Sequence, residues 1–327
     1  MIDQINWGII GCGNVTEIKS GPAFNKVPNS NLVAVMRRDA AKAADYAHRH
    51  KVAKWYSNAY ALINDPNVNA IYVATPPSSH KEYTLAALAA GKPVYVEKPV
   101  AMNEAECAEM SAASKKHGVK LCVAHYRRQI PLFKKVKALL DEQAIGDIRF
   151  VDLKLTQSVK KNMVAPSEEN WRIDPAISGG GIFHDLAPHQ LDLMYHFFGA
   201  AKKVTGISQN QAGLYAADDI VTGQIQFNNG VLLNGLWCFT VQESYVQDSC
   251  EIVGSKGNIR FSVFGDGLSI TKDGQQQDYT IPYPPHVQQP MIEQVVQYFI
   301  GKQPNPCSAH EAAIVMQWMD CMTNYPK

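Results

Sequence analysis

GIIGCGNVT, residues 8–16, joins a short apolar run to a segment that opens a helix. Gly11 and Gly13 permit a tight turn and let the backbone approach a pyrophosphate, whose charge suits the start of a helix. Thr16 stands where a third glycine usually completes this pattern. A glycine pair alone is weak evidence, because a strand-to-helix turn that binds nothing can have the same residues. The interpretation as a dinucleotide-binding turn therefore depends on the segments that follow.

Strand-like and helix-like segments alternate through the first 124 residues. The apolar runs that predict strands are 5–11, 32–38, 70–77, 93–99 and 119–125. The helical stretches between them include 40–50, 80–91 and 103–118. Asn103 and Glu106 match a capping box, and Gly118 suits the end of that helix. Nearly continuous apolar strands separated by helices predict a doubly wound parallel sheet, the Rossmann architecture.

The pattern changes after about residue 124. A strand is predicted at 150–157, and helices are predicted at 131–143, 183–198, 286–300 and 308–323. Between residues 203 and 281 apolar and polar residues alternate, interrupted by Asn-Asn-Gly, Ser-Lys-Gly and Lys-Asp-Gly, which favour antiparallel hairpins. We therefore predict an α/β Rossmann domain at 1–124. An α+β domain with a broad, mainly antiparallel sheet, for substrate binding and oligomerisation, is predicted at 125–327.

Length and charge exclude several classes of protein. The 327 residues are too many for one ordinary hydrophobic core. Thirty-one Lys and Arg against thirty Asp and Glu give no basic field for nucleic acid or for an anionic membrane surface. Neither a long apolar run nor a signal-peptide pattern is found, so we expect no membrane span and no secretion.

The cysteines indicate a reducing compartment. Seven are present, an odd number, and no Cys-x-x-Cys occurs. We therefore expect reduced thiols and a cytoplasmic protein. No structural zinc or other metal site is expected.

The end of the second predicted strand favours one nicotinamide nucleotide over the other. A protein that binds NAD usually has an acidic residue there for the ribose 2′-hydroxyl. This chain has Arg37 and Arg38, which suit the 2′-phosphate of NADP instead. Two alternatives remain open. In the first, the two arginines are solvated or contact only the adenine. In the second, the strand ends one residue later, Asp39 reaches the ribose, and NAD binds.

Four segments together resemble the Gfo/Idh/MocA family of sugar and cyclitol oxidoreductases. They are GIIGCGNV at 8–15, ATPPSSH at 74–80, VEKPV at 96–100 and GGGIFHDLAPHQLD at 179–192. The resemblance covers nearly the whole chain. It implies that Lys98, Asp185 and His189 are catalytic and that NAD or NADP is bound. It also implies dimers or tetramers that pack through the open face of the second sheet.

The chemistry of these three residues suits the oxidation of a secondary alcohol. His189 can accept the hydroxyl proton, and Asp185, four residues earlier on one helix face, can orient it. The Lys98 ammonium can stabilise developing alkoxide charge. Because proline is tolerated in a first helical turn, Pro188 also allows a helix that begins near Asp185, with Asp185 as an N-cap. For His189 the alternative is a satisfied interior histidine.

The remaining predicted site residues follow strand ends or precede the glycines at 179–181, which we expect to let backbone approach the nicotinamide or the substrate. The predicted cofactor-binding residues are Gly11, Gly13, Asn14, Val15, Arg37, Arg38, Thr75, Pro76, Pro77, His80, Glu97, Lys98, Trp171 and Arg172. The predicted substrate-binding residues are Lys98, Tyr126, Arg127, Asp185 and His189. Packing at a helix start is the alternative for His80, and surface pairing is the alternative for Arg127.

Three functions remain after these observations. The first is an NADP-dependent oxidoreductase that acts on a secondary alcohol or ketone of a sugar, polyol or sugar derivative. The second, which the resemblance implies, is an NAD-dependent glycoside hydrolase that works by transient oxidation and elimination. The third is a non-catalytic, nucleotide-sensing regulator, which does not need Lys98, Asp185 and His189 together.

The stretch LLNGLWCFT at 232–240 has apolar residues at both odd and even positions, which is more than one buried face of a strand needs. We therefore expect a partner subunit to cover the second face, in a homodimer or homotetramer.

Overall fold

The computed structural model describes residues 3–159 and 168–323, and the chain divides into two compact units. The first unit comprises Met1–Ile130 and Pro284–Ala313, and the second comprises Pro131–Tyr283 and Ile314–Lys327. The predicted domains, 1–124 and 125–327, place 284–313 in the second domain, whereas the structure groups that segment with the first unit. Lys120 helps to hold it there, because its Nζ donates to the carbonyl of Tyr298 at 2.7 Å.

The regular elements of the described residues follow in chain order. The strands are β1 (Ile5–Ile10), β2 (Ser30–Met36), β3 (Lys54–Tyr56), β4 (Ala70–Val73), β5 (Val94–Val96), β6 (Leu121–Val123), β7 (Ile148–Ser158), β8 (Ala201–Gln209), β9 (Ile220–Phe227), β10 (Leu232–Val241), β11 (Gln247–Gly254), β12 (Gly257–Phe261), β13 (Gly267–Lys272) and β14 (Gln275–Thr280). The helices are α1 (Asn14–Ile18), α2 (Ala40–Arg49), α3 (Ala59–Ile63), α4 (His80–Ala89), α5 (Glu104–His117), α6 (Pro131–Asp141), α7 (Pro175–Ser178), α8 (Gly181–Phe198), α9 (Gln289–Phe299) and α10 (Ala309–Met322).

The sheet of the first unit is parallel throughout, as predicted, with the strand order β3-β2-β1-β4-β5-β6. Every residue of β4, β5 and β6 is buried, because helices cover both faces. The chain winds outward from β1 in both directions, so the switch point lies between β1 and β4. Ligands of such sheets bind there, at the carboxyl ends of the strands.

Strand β3 was not among the five predicted strands. It is a three-residue edge strand, Lys54–Tyr56, and none of its residues is fully buried. The predicted start and end of α5 are confirmed. Asn103 Oδ1 accepts from the Glu106 amide at 3.0 Å, and Gly118 ends the helix in the left-handed conformation with φ 63°.

The second unit contains a broad, mainly antiparallel sheet, as predicted, with the order β14-β13-β12-β11-β7-β10-β9-β8. β7 and β10 pair in parallel, and the other neighbours are antiparallel. Buried and exposed residues alternate along β9, so only one face of the sheet belongs to the core. On that face the ring of Phe183, from α8, packs edge-on against Trp237 of β10 at 5.2 Å.

Helix α8 begins before Asp185, so the alternative that Asp185 is its N-cap is wrong. It begins at Gly181, with Gly180 as its N-cap, and Pro188 lies inside it. Asp185 is therefore not an N-cap. Pro188 has no N–H to donate to the carbonyl of His184, so one backbone hydrogen bond of the helix is lost, and proline is ordinarily disfavoured inside a helix for this reason. Here the helix carries buried side chains on both sides of Pro188, and their packing outweighs that local cost.

The outer face of the second sheet exposes several apolar side chains. Phe150 and Leu232 are paired neighbours on β7 and β10, 37% and 50% exposed, and Ile207 on β8 is 72% exposed.

All seven cysteines are free, and six of them are buried. Within the described residues, no helix combines the length and the apolar composition that crossing a membrane requires.

Candidate active site

The glycine turn after β1 has the open geometry that a dinucleotide needs. Gly11 has φ 95°, and a Cβ there would lie 2.8 Å from the Thr75 amide nitrogen, so a larger residue does not fit. At Gly13 an added Cβ would meet nothing closer than the Gly11 carbonyl, at 3.9 Å. No side chain caps α1, which carries Asn14 and Val15. These residues therefore suit a nicotinamide dinucleotide, with the backbone in close approach.

Thr16 fixes the same turn in place of the third glycine. Its amide and its Oγ1 both donate to the Gly13 carbonyl, at 2.9 and 2.8 Å. Its own carbonyl accepts from the hydroxyl of Tyr46 on α2 at 2.7 Å. The substitution thus stabilises the turn through hydrogen bonds.

Arg37, Arg38 and Asp39 follow the end of β2 and have different contacts. The strand ends at Met36, and Asp39 is the N-cap of α2, accepting from the Lys42 amide at 3.1 Å. Arg37 Nη1 donates to the Cys12 carbonyl in the glycine turn at 3.4 Å, and Arg38 is exposed. Asp39 therefore has a structural role at the helix start, and Arg37 lies beside the glycine turn.

Thr75, Pro76 and Pro77 form a braced loop after β4, across the switch point from the glycine turn. The loop leads into a short 3-10 helix, Pro77–Ser79, before α4. Ser79 Oγ donates to Thr75 Oγ1 at 2.8 Å. This loop will be called the Thr75 loop, residues 75–77.

His80 links the Thr75 loop to the segment that carries Lys98. It is 1% exposed, with Nε2 2.7 Å from the Thr75 carbonyl and Nδ1 3.0 Å from the Pro99 carbonyl. Burial lowers the pKa of this imidazole to about 4. Both ring nitrogens thus face backbone carbonyls of the protein, as expected if His80 packs at the start of α4.

Glu97 lies in a buried polar network. Its carboxylate accepts from the Tyr72 hydroxyl, from Gln288 Nε2 at 2.6 Å and from the Lys98 amide at 3.2 Å. Burial and the neighbouring carboxylate raise the pKa of Tyr72 well above its ordinary value, so that phenol stays protonated. Glu97 therefore anchors the backbone of Lys98, and its predicted cofactor contact stays a prediction.

The residues after β6 are more buried than a surface segment would be. Arg127 is 5% exposed, with its guanidinium 5.6 Å from the centre of the Tyr126 ring, so the surface-pairing alternative is wrong. Arg128 Nη1 donates to Glu311 Oε1 at 2.9 Å and holds the first turn of α10. Tyr126 and Arg127 keep their predicted substrate contacts as predictions.

In the second unit, Arg172 is joined to Asp185. Arg172 Nε donates to Asp185 Oδ2 at 2.7 Å, and the guanidinium stacks over the Trp171 ring at 4.5 Å. Both partners keep some solvent access, since their side chains are 39% and 13% exposed. Arg172, predicted to bind the cofactor, is thus the cationic partner of the predicted catalytic acid.

His189 lies one helical turn after Asp185 on α8 and is 4% exposed. The Phe264 ring packs edge-on against its imidazole at 5.7 Å. Gly180, the N-cap of this helix, serves internal packing: a Cβ there, where φ is 156°, would lie 2.0 Å from His184 Nδ1. His184 of the same unit thus fills the space at Gly180, and the predicted approach of a ligand to the glycines at 179–181 stays a prediction.

Two functional candidates were not found from the sequence. Gln288, which orients Glu97, is 191 residues away from it, and Phe264 lies in a loop far from His189 in the chain. No local pattern could have linked either pair. Across the residues that the structure describes, no group of three or more His, Cys, Asp and Glu side chains is arranged for a metal ion.

Comparison with known proteins matches both halves of the chain. The model described as "Oxidoreductase family, NAD-binding Rossmann fold" matches residues 5–125, and "GFO/IDH/MocA C-terminal domain" matches residues 133–260. Oxidoreductase P35 of Formosa agariphila is 48% identical over 98% of each chain.

The chain belongs to the Gfo/Idh/MocA family. A second member, 1,5-anhydro-D-fructose reductase of Ensifer adhaerens, is 28% identical over 77% of this chain and 74% of its own. The solved structure of levoglucosan dehydrogenase with NADH and levoglucosan has a TM-score of 0.87 at 22% identity, covering 98% of this chain and 96% of the other. This family member is an NAD(P)-dependent oxidoreductase.

Proposed function

We propose that this family member transfers a hydride between NADP(H) and a secondary alcohol or ketone of a sugar, polyol or sugar derivative. The pairing of Asp185 with Arg172, one turn before His189 on α8, is the observation that carries the proposal. It gives the predicted acid a fixed orientation and a compensating charge, one helical turn before the predicted base. The name of the relative from Ensifer adhaerens, a reductase of an anhydro sugar, supports the substrate class.

Lys98, Asp185 and His189 are the proposed catalytic residues. When bound, the nicotinamide accepts the hydride that leaves carbon during oxidation, or donates it during reduction. In the oxidative direction His189 takes the hydroxyl proton, and a carbonyl forms on the carbon that lost the hydride. Lys98 donates a hydrogen bond to the same oxygen and stabilises its negative charge. Asp185 orients the site and offsets the positive charge on protonated His189.

The proposed preference for NADP rests on the end of β2. Arg37 and Arg38 follow the strand, while Asp39 is the N-cap of α2. An arginine can pair with a 2′-phosphate through two parallel hydrogen bonds, but it cannot accept one from a ribose hydroxyl. The two positive charges therefore favour the phosphorylated nucleotide.

A panel of sugars, polyols and their keto derivatives tests the proposal. Each compound is incubated with the protein and NADP(H) or NAD(H), and the nicotinamide absorbance is followed. Net oxidation or reduction of the nucleotide with a matching change in the sugar supports it. Cleavage of a glycoside with the nucleotide unchanged would instead identify the hydrolase alternative, and nucleotide binding without turnover of any compound would favour a regulator.

We also propose a homodimer or homotetramer that buries the outer face of the second sheet. The exposed apolar side chains Phe150, Leu232 and Ile207 support this, because such a surface on a large sheet marks an interaction site. The cytoplasmic location inferred from the cysteines stays a prediction, as do the absence of nucleic-acid and membrane partners.

A further inference from the structure

His80 occupies an unusual place between two segments of the first unit. Its ring lies between the Thr75 carbonyl, 2.7 Å from Nε2, and the Pro99 carbonyl, 3.0 Å from Nδ1. The first of these belongs to the Thr75 loop at the switch point of the sheet. The second belongs to the residue that directly follows Lys98. A single buried side chain thus spans the distance between the two segments.

The Lys98 backbone is held on its other side as well. Its amide donates to Glu97 Oε2 at 3.2 Å, and that carboxylate is itself held by Tyr72 and Gln288. The chain at Lys98 is therefore fixed by Glu97 before it and by His80 after it. The proposed action of the Lys98 ammonium on the reacting oxygen depends on such placement, because a small displacement of a catalytic group slows the reaction strongly.

We propose that His80 is a positioning residue that sets Lys98 by holding the Pro99 carbonyl from the Thr75 loop. The inference rests on the proposed function, in which Lys98 acts on the reacting oxygen. His80 is buried, faces backbone on both sides and reaches Lys98 through the Pro99 carbonyl. A neutral imidazole carries one N–H, so the contribution of each ring nitrogen is a separate question that substitution can answer.

Three variants separate the two contacts. His80→Leu keeps volume but removes both polar contacts. In His80→Asn the side-chain amide nitrogen takes the place of Nδ1 and can still donate to Pro99. In His80→Gln the amide nitrogen reaches the place of Nε2 and can donate only to Thr75. His117→Leu, an exposed histidine in the last turn of α5, is the matched control.

We expect kcat to fall on the order of 10- to 100-fold in His80→Leu, the scale of a displaced catalytic group. His80→Asn should recover most of that loss, whereas His80→Gln should not. The Kd for NADPH, from calorimetric titration, should change less than about tenfold in all variants, since one neutral hydrogen bond is the most that the nucleotide site can lose. An unchanged kcat in folded His80→Leu would overturn the proposal. So would an equal loss in all three variants that follows the fall in Tm.

A double-mutant cycle distinguishes positioning from general support of the fold. If His80 acts through Lys98, then His80→Leu should have little further effect on the residual rate of Lys98→Ala. Full additivity of the two losses would overturn the proposal.

A second readout needs no substrate. The rate at which an amine-reactive reagent labels Lys98, measured by mass spectrometry relative to exposed Lys115, should differ at least about twofold between His80→Leu and the unmodified protein, and His80→Asn should restore it. If no compound is turned over, the proposed function fails, and labelling still tests His80. Identical labelling in all variants would overturn the positioning role.

Discussion

Arg172 Nε donates to Asp185 Oδ2 at 2.7 Å, and the same guanidinium lies 4.5 Å above the Trp171 ring. This pair separates two possible uses of an acid on α8. A helix cap would be satisfied by backbone amides, whereas Asp185 is held by a cation from a segment thirteen residues earlier. The stacked ring limits the freedom of the guanidinium, so the carboxylate is held in one orientation. A carboxylate that is held in one orientation in this way suits a role in catalysis.

Replacing Asp185 or Arg172 should therefore cost more activity than stability. The pair is partly exposed, so its contribution to the free energy of unfolding is about 1 kcal/mol or less. Asp185→Asn and Arg172→Ala should shift Tm only slightly but lower kcat at least about tenfold, the scale of one lost charge-assisted hydrogen bond. Thermal unfolding and steady-state rates measure the two effects.

Arg172→Lys is the matched variant, because it keeps the charge but loses the planar group that stacks on Trp171. We expect an intermediate rate. A large fall in Tm with a normal rate in Asp185→Asn would show that the pair serves the fold instead.

Nucleotide preference is the next expected outcome. The unmodified protein should bind NADP(H) more tightly than NAD(H). Changing Arg37 and Arg38 together to Ala should remove about 1–3 kcal/mol of that difference, the scale of charge-assisted hydrogen bonds. Calorimetric titration with both nucleotides gives the values.

Asp39→Ala is the control for this experiment. It removes the cap of α2, which costs about 1 kcal/mol of stability, but it should leave the ratio of the two affinities unchanged. Equal affinity for both nucleotides in the unmodified protein would contradict the assignment.

Acid should weaken the first unit partly through Glu17, which lies just after the glycine turn. Its hydrogen bond to Arg49 on α2 holds the pKa of Glu17 at about 2, below its ordinary 4.5. The unfolded chain takes up this proton near pH 4.5 and the folded chain only near pH 2. The stabilisation is therefore complete above about pH 5 and is lost as pH falls toward 2.

Glu17→Gln should accordingly make stability depend less steeply on pH between about 5 and 2. Urea unfolding at a series of pH values measures the slope. Asp45→Asn removes the other, exposed acid that Arg49 contacts and serves as the control. Parallel slopes for Glu17→Gln and the unmodified protein would show that this contact does not carry the effect.

Assembly depends on the outer face of the second sheet. Phe150 and Leu232 are neighbours there, so Leu232→Glu should place a charge in the predicted interface and shift a dimer or tetramer toward monomer. Light scattering at low micromolar concentration measures the mass. Trp55→Glu, on the exposed edge strand of the first sheet, should leave it unchanged. Only a 36.1 kDa species in the unmodified protein would refute the assembly.

The sequence predicted those parts of the molecule that depend on local pattern. Continuous apolar runs gave the central strands of the first sheet, but Lys54–Tyr56 at its edge has no such run and was missed. Pro188 left open a helix that begins near Asp185, because the local rule ignores packing, and the buried side chains of α8 override that rule. The partners of Glu97 could not be predicted, because Tyr72 and Gln288 meet it only in the folded chain.

The joint action of Lys98, Asp185 and His189 is the most demanding expectation. If all three act on one hydroxyl, their single losses should not add, since removing any one disables the step that the others serve. His189→Ala should lower the rate on the order of 10² to 10⁴, the contribution of a general base. It should also flatten the limb of the pH–rate profile that reports that base. Lys98→Ala should lower kcat strongly but leave the Kd for NADP nearly unchanged.

The double variant Lys98→Ala/His189→Ala then decides between a unit and separate effects. We expect its rate to lie close to that of the slower single variant. His196→Ala, a histidine near the end of the same helix, is the control and should retain the normal rate. Near-normal turnover in His189→Ala with the correct substrate would mean that another group accepts the proton. The interpretation of GGGIFHDLAPHQLD as the source of the catalytic acid and base would then be wrong.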